Sequence, residues 1–278
     1  MNQTLNALGQ ERVFPELDRS FRAKVQIEMK VGGLTVKTIN QVSELVQALA
    51  LRYEVFQAEV VGSGTGAGLD FDQFDANADH IAIFNEASGS MIATCRLNSS
   101  LFARKFYSEQ EFDCQALIAM PEAKLEIGRV CVRREFRKSA VILILWRAIA
   151  EYMSKTGSEV LFGCGSVQTQ DPREASILYR YLEREGKVRT DKGVRPTDEY
   201  RFREFETLLS RDQGSVLTSE ETLMAQALLP SLCKSYFDIG CYAAGLPAID
   251  RDFKCIDFLT VLETKVMDPR LRRRMFGG

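Results

Sequence analysis

The sequence has no long apolar run and almost no net charge. Its longest apolar run, residues 140–146, ends at Arg147 after seven residues, whereas a membrane-spanning helix needs about 20. Residues 1–30 carry a charge every few positions and contain no apolar core of signal-peptide length. The formal net charge of −2 gives no electrostatic case for binding nucleic acid. We therefore predict a cytoplasmic protein without a nucleic-acid partner, in which any membrane contact is peripheral.

The cysteines and the single histidine exclude several frameworks. The seven cysteines are an odd number and no two have CxxC spacing, so neither a disulfide scaffold nor a metal site is predicted. No G-x-S-x-G segment is present, and the sequence does not pair His80 with any cysteine as a catalytic nucleophile and base. No covalent acyl-enzyme is therefore expected. The glycine-rich loop 62–68 lacks a following GK[ST], and the aspartates after it lack calcium-loop spacing.

What the sequence does contain is a carboxylate and a guanidinium three residues apart in an otherwise apolar strand. Glu126 and Arg129 interrupt residues 125–132, and a basic turn and a largely apolar helix at 139–155 follow directly. Because a charge pair in such a strand needs a reason, we treat it as the centre of a candidate site. A purely structural ion pair is the alternative.

Periodicity predicts an α/β order of elements. A strand at 34–39 precedes a helix that begins at Val42 and buries one face. The further predicted elements are a hairpin at 79–84 and 90–97, the strand at 125–132, the helix at 139–155, a strand at 159–165, a helix at 173–184, a helical stretch at 219–244 broken at Pro230, and a strand at 256–262. The stretch between the helix at 173–184 and about residue 213 is predicted to be polar and poor in strands.

These elements and their residues resemble the GNAT acyltransferases, in the branch of the N-acyl amino acid synthases and ornithine-lipid N-acyltransferases, which also resembles the acyl-homoserine-lactone synthases. The shared pattern consists of Arg52-x-x-x-Phe56, Asp72, Asp75, Arg96 and Glu126-x-x-Arg129. The motif Asp250-x-x-Phe253-x-x-x-Asp257 resembles the ornithine-lipid branch in particular. The resemblance implies a GNAT-like mixed twisted sheet flanked by helices, divided into an N-terminal extension (1–33), an acyltransferase core (34–213) and a C-terminal helix-strand extension (214–278) packed on the core.

One departure from the family bears on the acyl donor. GNAT enzymes that use acetyl-CoA hold its pyrophosphate in an [RQ]-x-x-G-x-[GA] loop, and the corresponding residues 137–142 lack both glycines. The resemblance therefore implies an acyl group on the phosphopantetheine of acyl carrier protein. The basic residues that would face the acidic carrier include Arg134, Arg137 and Lys138.

The resemblance also implies roles around the motif strand. Glu126 would take the proton of the attacking amine, because burial raises the pKa of a carboxyl group. Arg129 would hold an acceptor carboxylate or pair with Glu126. The backbone amides at Val130, Cys131 and Val132 would stabilise the oxyanion, while the Cys131 side chain is interpreted as an apolar filler.

Six further residues form the predicted substrate-binding set: Arg52, Phe56, Asp72, Asp75, His80 and Arg96. The alternatives are a solvent-exposed arginine at Arg52 and solvated loop residues at Asp72 and Asp75, which would also help to hold Arg52. For His80 they are a structural hydrogen bond or the role of base.

The predicted function is transfer of a long-chain acyl group, with 3-hydroxylation left open, from acyl carrier protein to the α-amine of an amino acid, ornithine first. The rivals are another N-acyl amino acid or signalling amide, a non-catalytic acyl-carrier or lipid-binding module, and a CoA-dependent acetyltransferase. The helix around Leu232 and Phe237 is predicted to cover the sheet core or, with the terminal arginines, to contact an anionic membrane.

Overall fold

The computed structural model describes residues 21–62, 68–137, 140–212 and 214–276. The chain forms two compact units. The first contains Met1–Arg104, Leu125–Ser158 and Arg274–Gly278, and the second contains Lys105–Lys124 and Glu159–Arg273. The domain boundaries expected from the sequence follow other positions and stay a prediction.

Five strands of the first unit pair in the order β1, β2, β3, β4, β6, all antiparallel. Their bounds are Glu28–Val31 (β1), Leu34–Thr38 (β2), Asp79–Asn85 (β3), Met91–Ser99 (β4) and Lys124–Val132 (β6), with β5 described below. Gly32 and Gly33 make the β1–β2 turn with φ of 55° and 76°, which glycine adopts without strain. The strand and hairpin predictions are confirmed here, whereas β1 was not predicted.

The helices of the first unit pack against this sheet through apolar faces. Val42–Tyr53 (α1) continues directly into a π-helical segment, Glu54–Val61, and the largely apolar helix predicted after the motif strand spans Val141–Thr156. Leu45 and Leu49 of α1 lie in the core cluster, as the periodicity predicts. Asp79 anchors this unit because its buried carboxylate accepts hydrogen bonds from the Tyr152 hydroxyl and from the amides of Lys24 and Val25.

The second unit has a sheet of mixed direction. Val160–Val167 (β7) is antiparallel to Cys255–Glu263 (β12), which also pairs antiparallel with Tyr242–Ala244 (β10) and Ala248–Asp250 (β11). Val188–Arg189 (β8) is parallel to β10, and Phe112–Asp113 (β5) pairs with Arg195–Pro196 (β9). The predicted strands at 159–165 and 256–262 are confirmed.

Besides α1, two helices of only four residues precede the motif strand, and the other helices follow it. In chain order the helices after α1 are Ser108–Glu111 (α2), Gln115–Ile118 (α3), Val141–Thr156 (α4), Pro172–Arg184 (α5), Arg203–Arg211 (α6), Ser219–Leu228 (α7), Ser231–Asp238 (α8) and Pro269–Phe276 (α9). Pro230 separates α7 from α8, as expected. None of the helices within the described ranges is long and apolar enough to cross a bilayer.

One prediction about the later part of the chain is wrong, and one helix was not predicted. Residues 239–244 are not helical, because Gly240 turns the chain at φ 99° and Tyr242–Ala244 then pair as β10. Residues 214–278 thus contain β10, β11 and β12 as well as helices. Helix α6 was missed in a stretch predicted to be merely polar. The α/β fold class, with mixed strand directions and flanking helices, is confirmed.

Candidate active site

Three arginines and three aspartates of the first unit form a closed ring of alternating charges, here called the Arg–Asp ring. Around the ring the order is Arg52, Asp70, Arg129, Asp72, Arg96 and Asp75. The arginines come from α1, β4 and β6, and the aspartates come from the loop between the π-helical segment and β3. The ring therefore joins four separate parts of the chain around balanced charges.

Arg52 and Asp75 make the best-enclosed contact of the ring. Arg52 Nη1 donates to Asp75 Oδ1 at 2.6 Å and Nη2 donates to Oδ2 at 3.2 Å, so the pair is bidentate. Arg52 Nε also donates to Asp70 Oδ2 at 2.8 Å. Arg52 is 1% exposed and lies on the buried face of α1. The interpretation of Arg52 as a solvent-exposed surface arginine is therefore wrong, while the expectation that Asp75 holds it is confirmed.

The remaining contacts close the ring through Arg96 and Arg129. Arg96 Nη1 donates to Asp72 Oδ1 at 2.6 Å and to Asp75 Oδ1 at 3.1 Å. Arg129 Nη2 donates to Asp72 Oδ2 at 3.1 Å, and its Nε lies 3.3 Å from Asp70 Oδ2. The guanidinium of Arg129 is thus already engaged by two aspartates.

The loop that carries the aspartates is itself preorganised. The Asp72 amide donates to Asp75 Oδ2 at 2.8 Å, and the Phe74 amide donates to Asp72 Oδ1 at 2.9 Å. The Asp70 amide donates to Leu49 O at 3.1 Å, which ties the loop to α1. Most of the preceding glycine-rich loop lies outside the described residues.

The ring has a buried side and a partly open side. The side chains of Asp75 and Arg96 are 0% and 2% exposed, whereas those of Asp70, Arg129 and Asp72 are 11%, 15% and 23% exposed. Solvent or a small ligand can therefore reach the second group without unfolding the loop. Asp70 was not predicted as a site residue, although a third carboxylate is needed to balance the charges of the three arginines.

Burial and charge shift the ionisation of the buried side in opposite directions. Burial acts to raise the pKa of Asp75, but the guanidiniums of Arg52 and Arg96 outweigh it and hold that pKa well below its usual range. Burial acts to lower the pKa of Arg52, but Asp75 and Asp70 outweigh it and raise that pKa. Arg52 and Asp75 are therefore both charged at neutral pH.

His80 lies beneath the ring and is neutral at neutral pH. Its Nε2 is 3.2 Å from the carbonyl oxygen of Asp75, and it is fully buried. Burial lowers the pKa of His80 to about 4, although the charge of Asp75 acts in the opposite direction. The geometry favours the structural hydrogen bond over the role of base, because a group with this pKa is a weak base at neutral pH.

The motif strand β6 is bulged at Arg129. Thr94 pairs with Cys131 and Arg96 pairs with Gly128, so Arg129 and Val130 together face Cys95 across the ladder. Arg129 has φ 51°, which is uncommon for a residue other than glycine. The bulge re-aims the chain at the place where the sequence predicts oxyanion donors. Glu126 is 3% exposed and lies opposite Asn98 on β4.

The other predicted residues occupy varied surroundings. Cys131 is buried in the core cluster, and burial raises the pKa of its thiol to about 12, so its interpretation as an apolar filler is confirmed. Phe56 is half-buried against the same cluster. Arg134 and Arg137 are exposed, with Arg137 Nε donating to Val132 O at 2.9 Å, while Lys138 lies outside the described residues.

We expect Asp75→Asn to lower the free energy of unfolding by about 3 kcal/mol, because it leaves buried guanidinium charge uncompensated. Asp72→Asn, which changes the partly open side, should cost about 1 kcal/mol. Urea unfolding monitored by circular dichroism measures both values. Equal losses in the two variants would contradict the division of the ring into a buried and an open side.

His80 should make the protein acid-sensitive above the range in which carboxyl groups titrate. Its folded pKa lies below its unfolded value of 6.5, so its contribution is complete above that value and is lost as pH falls towards about 4. Between about pH 7 and about pH 5 this should cost about 2 kcal/mol of unfolding free energy. His80→Gln should remove that pH dependence. A wild-type slope that survives the substitution would assign it to other groups.

Known proteins resemble this chain both in one domain and over most of its length. Residues 51–147, which include both Arg52 and Arg129, match the family described as "Acetyltransferase (GNAT) domain". The chain is 29% identical over 252 residues to an L-ornithine N(alpha)-acyltransferase of Rhodobacter capsulatus, covering 85% of this chain and 92% of the relative. An enzyme of the same name from Rhizobium meliloti is 27% identical, with 84% and 81% covered.

Among solved structures, an N-acyl amino acid synthase from uncultured soil microbes overlaps 84% of this chain and 93% of its own, with 8% identity and a TM-score of 0.47. A TM-score of 0.47 is too low to support a functional assignment, so the assignment depends on the sequence matches. The family match spans the six residues of the ring and the motif strand. Residues 51–147 are therefore similar to GNAT acetyltransferase domains, and the chain is homologous, over most of its length, to L-ornithine N(alpha)-acyltransferases.

Proposed function

We propose that this protein moves a long-chain acyl group from acyl carrier protein to the α-amine of ornithine, giving an N-acylated amino acid for lipid synthesis. The observation that carries the proposal is the partly open side of the Arg–Asp ring, to which Arg129 of the bulged strand β6 belongs; Glu126 lies three residues earlier on the same strand. The naming of the relatives supports ornithine as the acceptor. The length of the acyl chain and its 3-hydroxylation are determined by which acyl carrier protein thioesters the enzyme accepts as donors.

The open side of the ring suits a zwitterionic acceptor. An α-amino acid carries a carboxylate and an ammonium group, and the open side presents both signs of charge through Arg129, Asp70 and Asp72. Arg129 would hold the acceptor carboxylate, and an aspartate would hold an ammonium group. Arg52 and Arg96 both contact Asp75 on the buried side of the ring, and His80 contacts the carbonyl oxygen of Asp75. We assign these four residues to holding the open side in place.

The reaction needs a base and an oxyanion site. Glu126 takes a proton from the acceptor ammonium, directly or through a water molecule, so that the neutral amine can attack the thioester carbonyl carbon. The carbonyl oxygen gains negative charge, which the backbone amides of the bulge at Val130 to Val132 stabilise. The carbon–sulfur bond then breaks, the amide forms, and the pantetheine sulfur leaves as a thiol with the proton. No covalent acyl-enzyme is required.

The donor surface is basic and exposed. Arg134 and Arg137 follow the end of β6 and are solvent-exposed, so they can attract an acidic carrier protein and raise its rate of association. Arg133, the neighbour of Arg134, is instead paired with Glu54 at 3.1 Å. We therefore assign carrier docking to Arg134 and Arg137, together with Lys138.

The proposal predicts the product and its dependence on Glu126. Purified protein incubated with long-chain acyl carrier protein and a pool of amino acids should give N-acyl ornithine by mass spectrometry. Glu126→Gln keeps the shape of the side chain and should lower the rate about 100-fold or more. Arg129→Lys should mainly raise KM for the acceptor, roughly tenfold, because the forked hydrogen bonds are lost.

Glu135→Gln, in the exposed turn after β6, is the matched control and should keep wild-type activity. Acylation of a different amino acid would move the assignment to another N-acyl amino acid synthase. Turnover with acetyl-CoA alone would reject the carrier protein as donor. Absence of product with every donor would favour a non-catalytic binding module.

We also propose that the last helix, α9, contacts an anionic membrane. Its exposed residues include Arg270, Arg272 and Arg273, and Leu271 and Phe276 are half-buried. By contrast, Tyr236 and Phe237 of α8 are buried, and Cys233 and Tyr236 pack near Gly165 of β7, which favours the role of α8 as a cover over the sheet. A cytoplasmic protein at the inner face of the membrane fits this assignment.

We expect sedimentation with anionic liposomes at low salt to depend on α9. Each basic residue near an anionic surface contributes about 1 kcal/mol, so replacing Arg270, Arg272 and Arg273 by Gln should weaken binding by about 100-fold. The control replaces Arg104, Arg147 and Lys234, which are exposed elsewhere, by Gln. Equal weakening in both triple variants would show that net charge, and not α9, controls binding.

A further inference from the structure

The second unit contains a buried group of metal-ligating side chains that the proposed reaction does not use. The group, here called the acid–thiol cluster, consists of Asp250, Cys255 and Asp257, which are 5%, 1% and 3% exposed. One ligand atom from each residue lies within 4.8 Å of the others. Two carboxylates and a thiol are thus held together away from bulk water.

The local sequence explains why these three side chains meet. Asp250 ends β11 and Cys255 begins β12, and the two residues pair directly across the hairpin. Directly opposed residues bring their Cβ atoms to about 5 Å. Asp257 follows Cys255 by two positions on the same strand, so it points to the same face of the sheet. The spacing Asp250-x-x-x-x-Cys255-x-Asp257 therefore places three ligands on one side of a tight hairpin.

Hydrogen bonds orient both carboxylates. Asp250 Oδ1 accepts from the amides of Asp252 and Phe253, each at 2.9 Å. Asp257 Oδ1 accepts from the Ser166 hydroxyl at 2.5 Å, and Asp257 Oδ2 accepts from the Cys255 thiol at 3.4 Å. Metal-ligating groups commonly have such outer partners, which hold them in one orientation.

A fourth buried acidic group, Glu111, is close enough to the cluster for the charges of Asp250 and Asp257 to act on it. Glu111 is 1% exposed, and its Oε2 has no hydrogen-bond partner within the residues that the structure describes. Burial raises the pKa of Glu111 well above its usual range, and the charges of Asp257 and Asp250 raise it further. A buried carboxyl oxygen without a partner, beside two further carboxylates, is an arrangement that a bound cation would complete.

We propose that Asp250, Cys255 and Asp257 bind a divalent metal ion of the zinc class, with the buried carboxyl group of Glu111 as a nearby acidic group. A thiolate favours zinc over magnesium or calcium, and carboxylates are accepted by zinc as well. Burial, with the charges of Asp257 and Asp250, raises the pKa of the Cys255 thiol beyond its usual range. A bound cation reverses that effect, so the thiol proton is released to solvent as the sulfur–metal bond forms.

The site is independent of the acyl-transfer proposal and was missed by the sequence analysis for a clear reason. The usual sequence pattern of a zinc site is paired cysteines or histidines at short spacing, whereas two of these three ligands are aspartates of a strand hairpin. Cysteines outside the cluster, such as Cys241, are equally buried. Cys241 therefore offers a matched control for the loss of a buried thiol.

The test uses the whole 278-residue chain, dialysed against trace zinc. Elemental analysis should find about one zinc per chain, and titration with cobalt in place of zinc should produce a thiolate-to-cobalt charge-transfer band. Cys255→Ser should abolish the band, and Cys255→Ser and Asp257→Asn should each weaken metal binding at least roughly tenfold. Cys241→Ser and the exposed-site variant Asp191→Asn should bind metal as the wild type does.

Metal-dependent thermal stability provides the second readout on the wild-type protein, which guards against a variant that does not fold. Zinc should raise Tm and a chelator should reverse the rise. The proposal fails if zinc, cobalt and manganese leave the wild-type Tm unchanged and no metal is retained. It also fails if ornithine, rather than any metal, raises Tm in a manner that Asp257→Asn abolishes, since the cluster would then bind an ammonium group.

Discussion

The closed alternation of charge in the Arg–Asp ring is the constraint on which the rest of the candidate site depends. Two unlike charges in a protein interior lose about as much from desolvation as they gain from attraction. In the ring every aspartate serves two arginines and every arginine serves two aspartates, so each desolvation is offset twice. Removing the loop would take away the three carboxylates that the guanidiniums of α1, β4 and β6 contact. Residues 70–75 of the loop are therefore part of the core, although residues 68–74 form no regular secondary structure.

The same ring explains how β6 can hold a strained residue. A non-glycine residue in the left-handed region costs about 1 to 3 kcal/mol and persists where its surroundings determine it. Arg129 has φ 51° at the bulge, and its guanidinium is held by Asp70 and Asp72. Electrostatic contacts of the side chain thus stabilise a backbone conformation. The bulge in turn decides where the amides after it point, which links the ring to the proposed oxyanion site.

Periodicity was sufficient to predict most of the long helices and strands but not the partners of the charged residues. The helix at Val42, the hairpin and the motif strand all have apolar patterns that sequence alone reveals. Asp70 escaped prediction because its role depends on a bulge that rotates Arg129, and a bulge leaves no mark in the apolar pattern. The strand at 242–244 was missed because Gly240 breaks a helical pattern that would otherwise continue. The contacts of the site are thus decided by tertiary register, whereas the elements are decided locally.

The two units treat buried acid in contrasting ways. In the first, the guanidiniums of Arg52 and Arg96 keep Asp75 ionised, and the neutral His80 adds no charge. In the second, the charges that act most strongly on Glu111 are those of other carboxylates, so its own ionisation is suppressed. A buried acid must be neutralised by a cation or by a proton. Because the ring supplies its own cations, it is complete as the chain folds, whereas the acid–thiol cluster takes its final charge from what it binds, a proton at Glu111 or a metal ion.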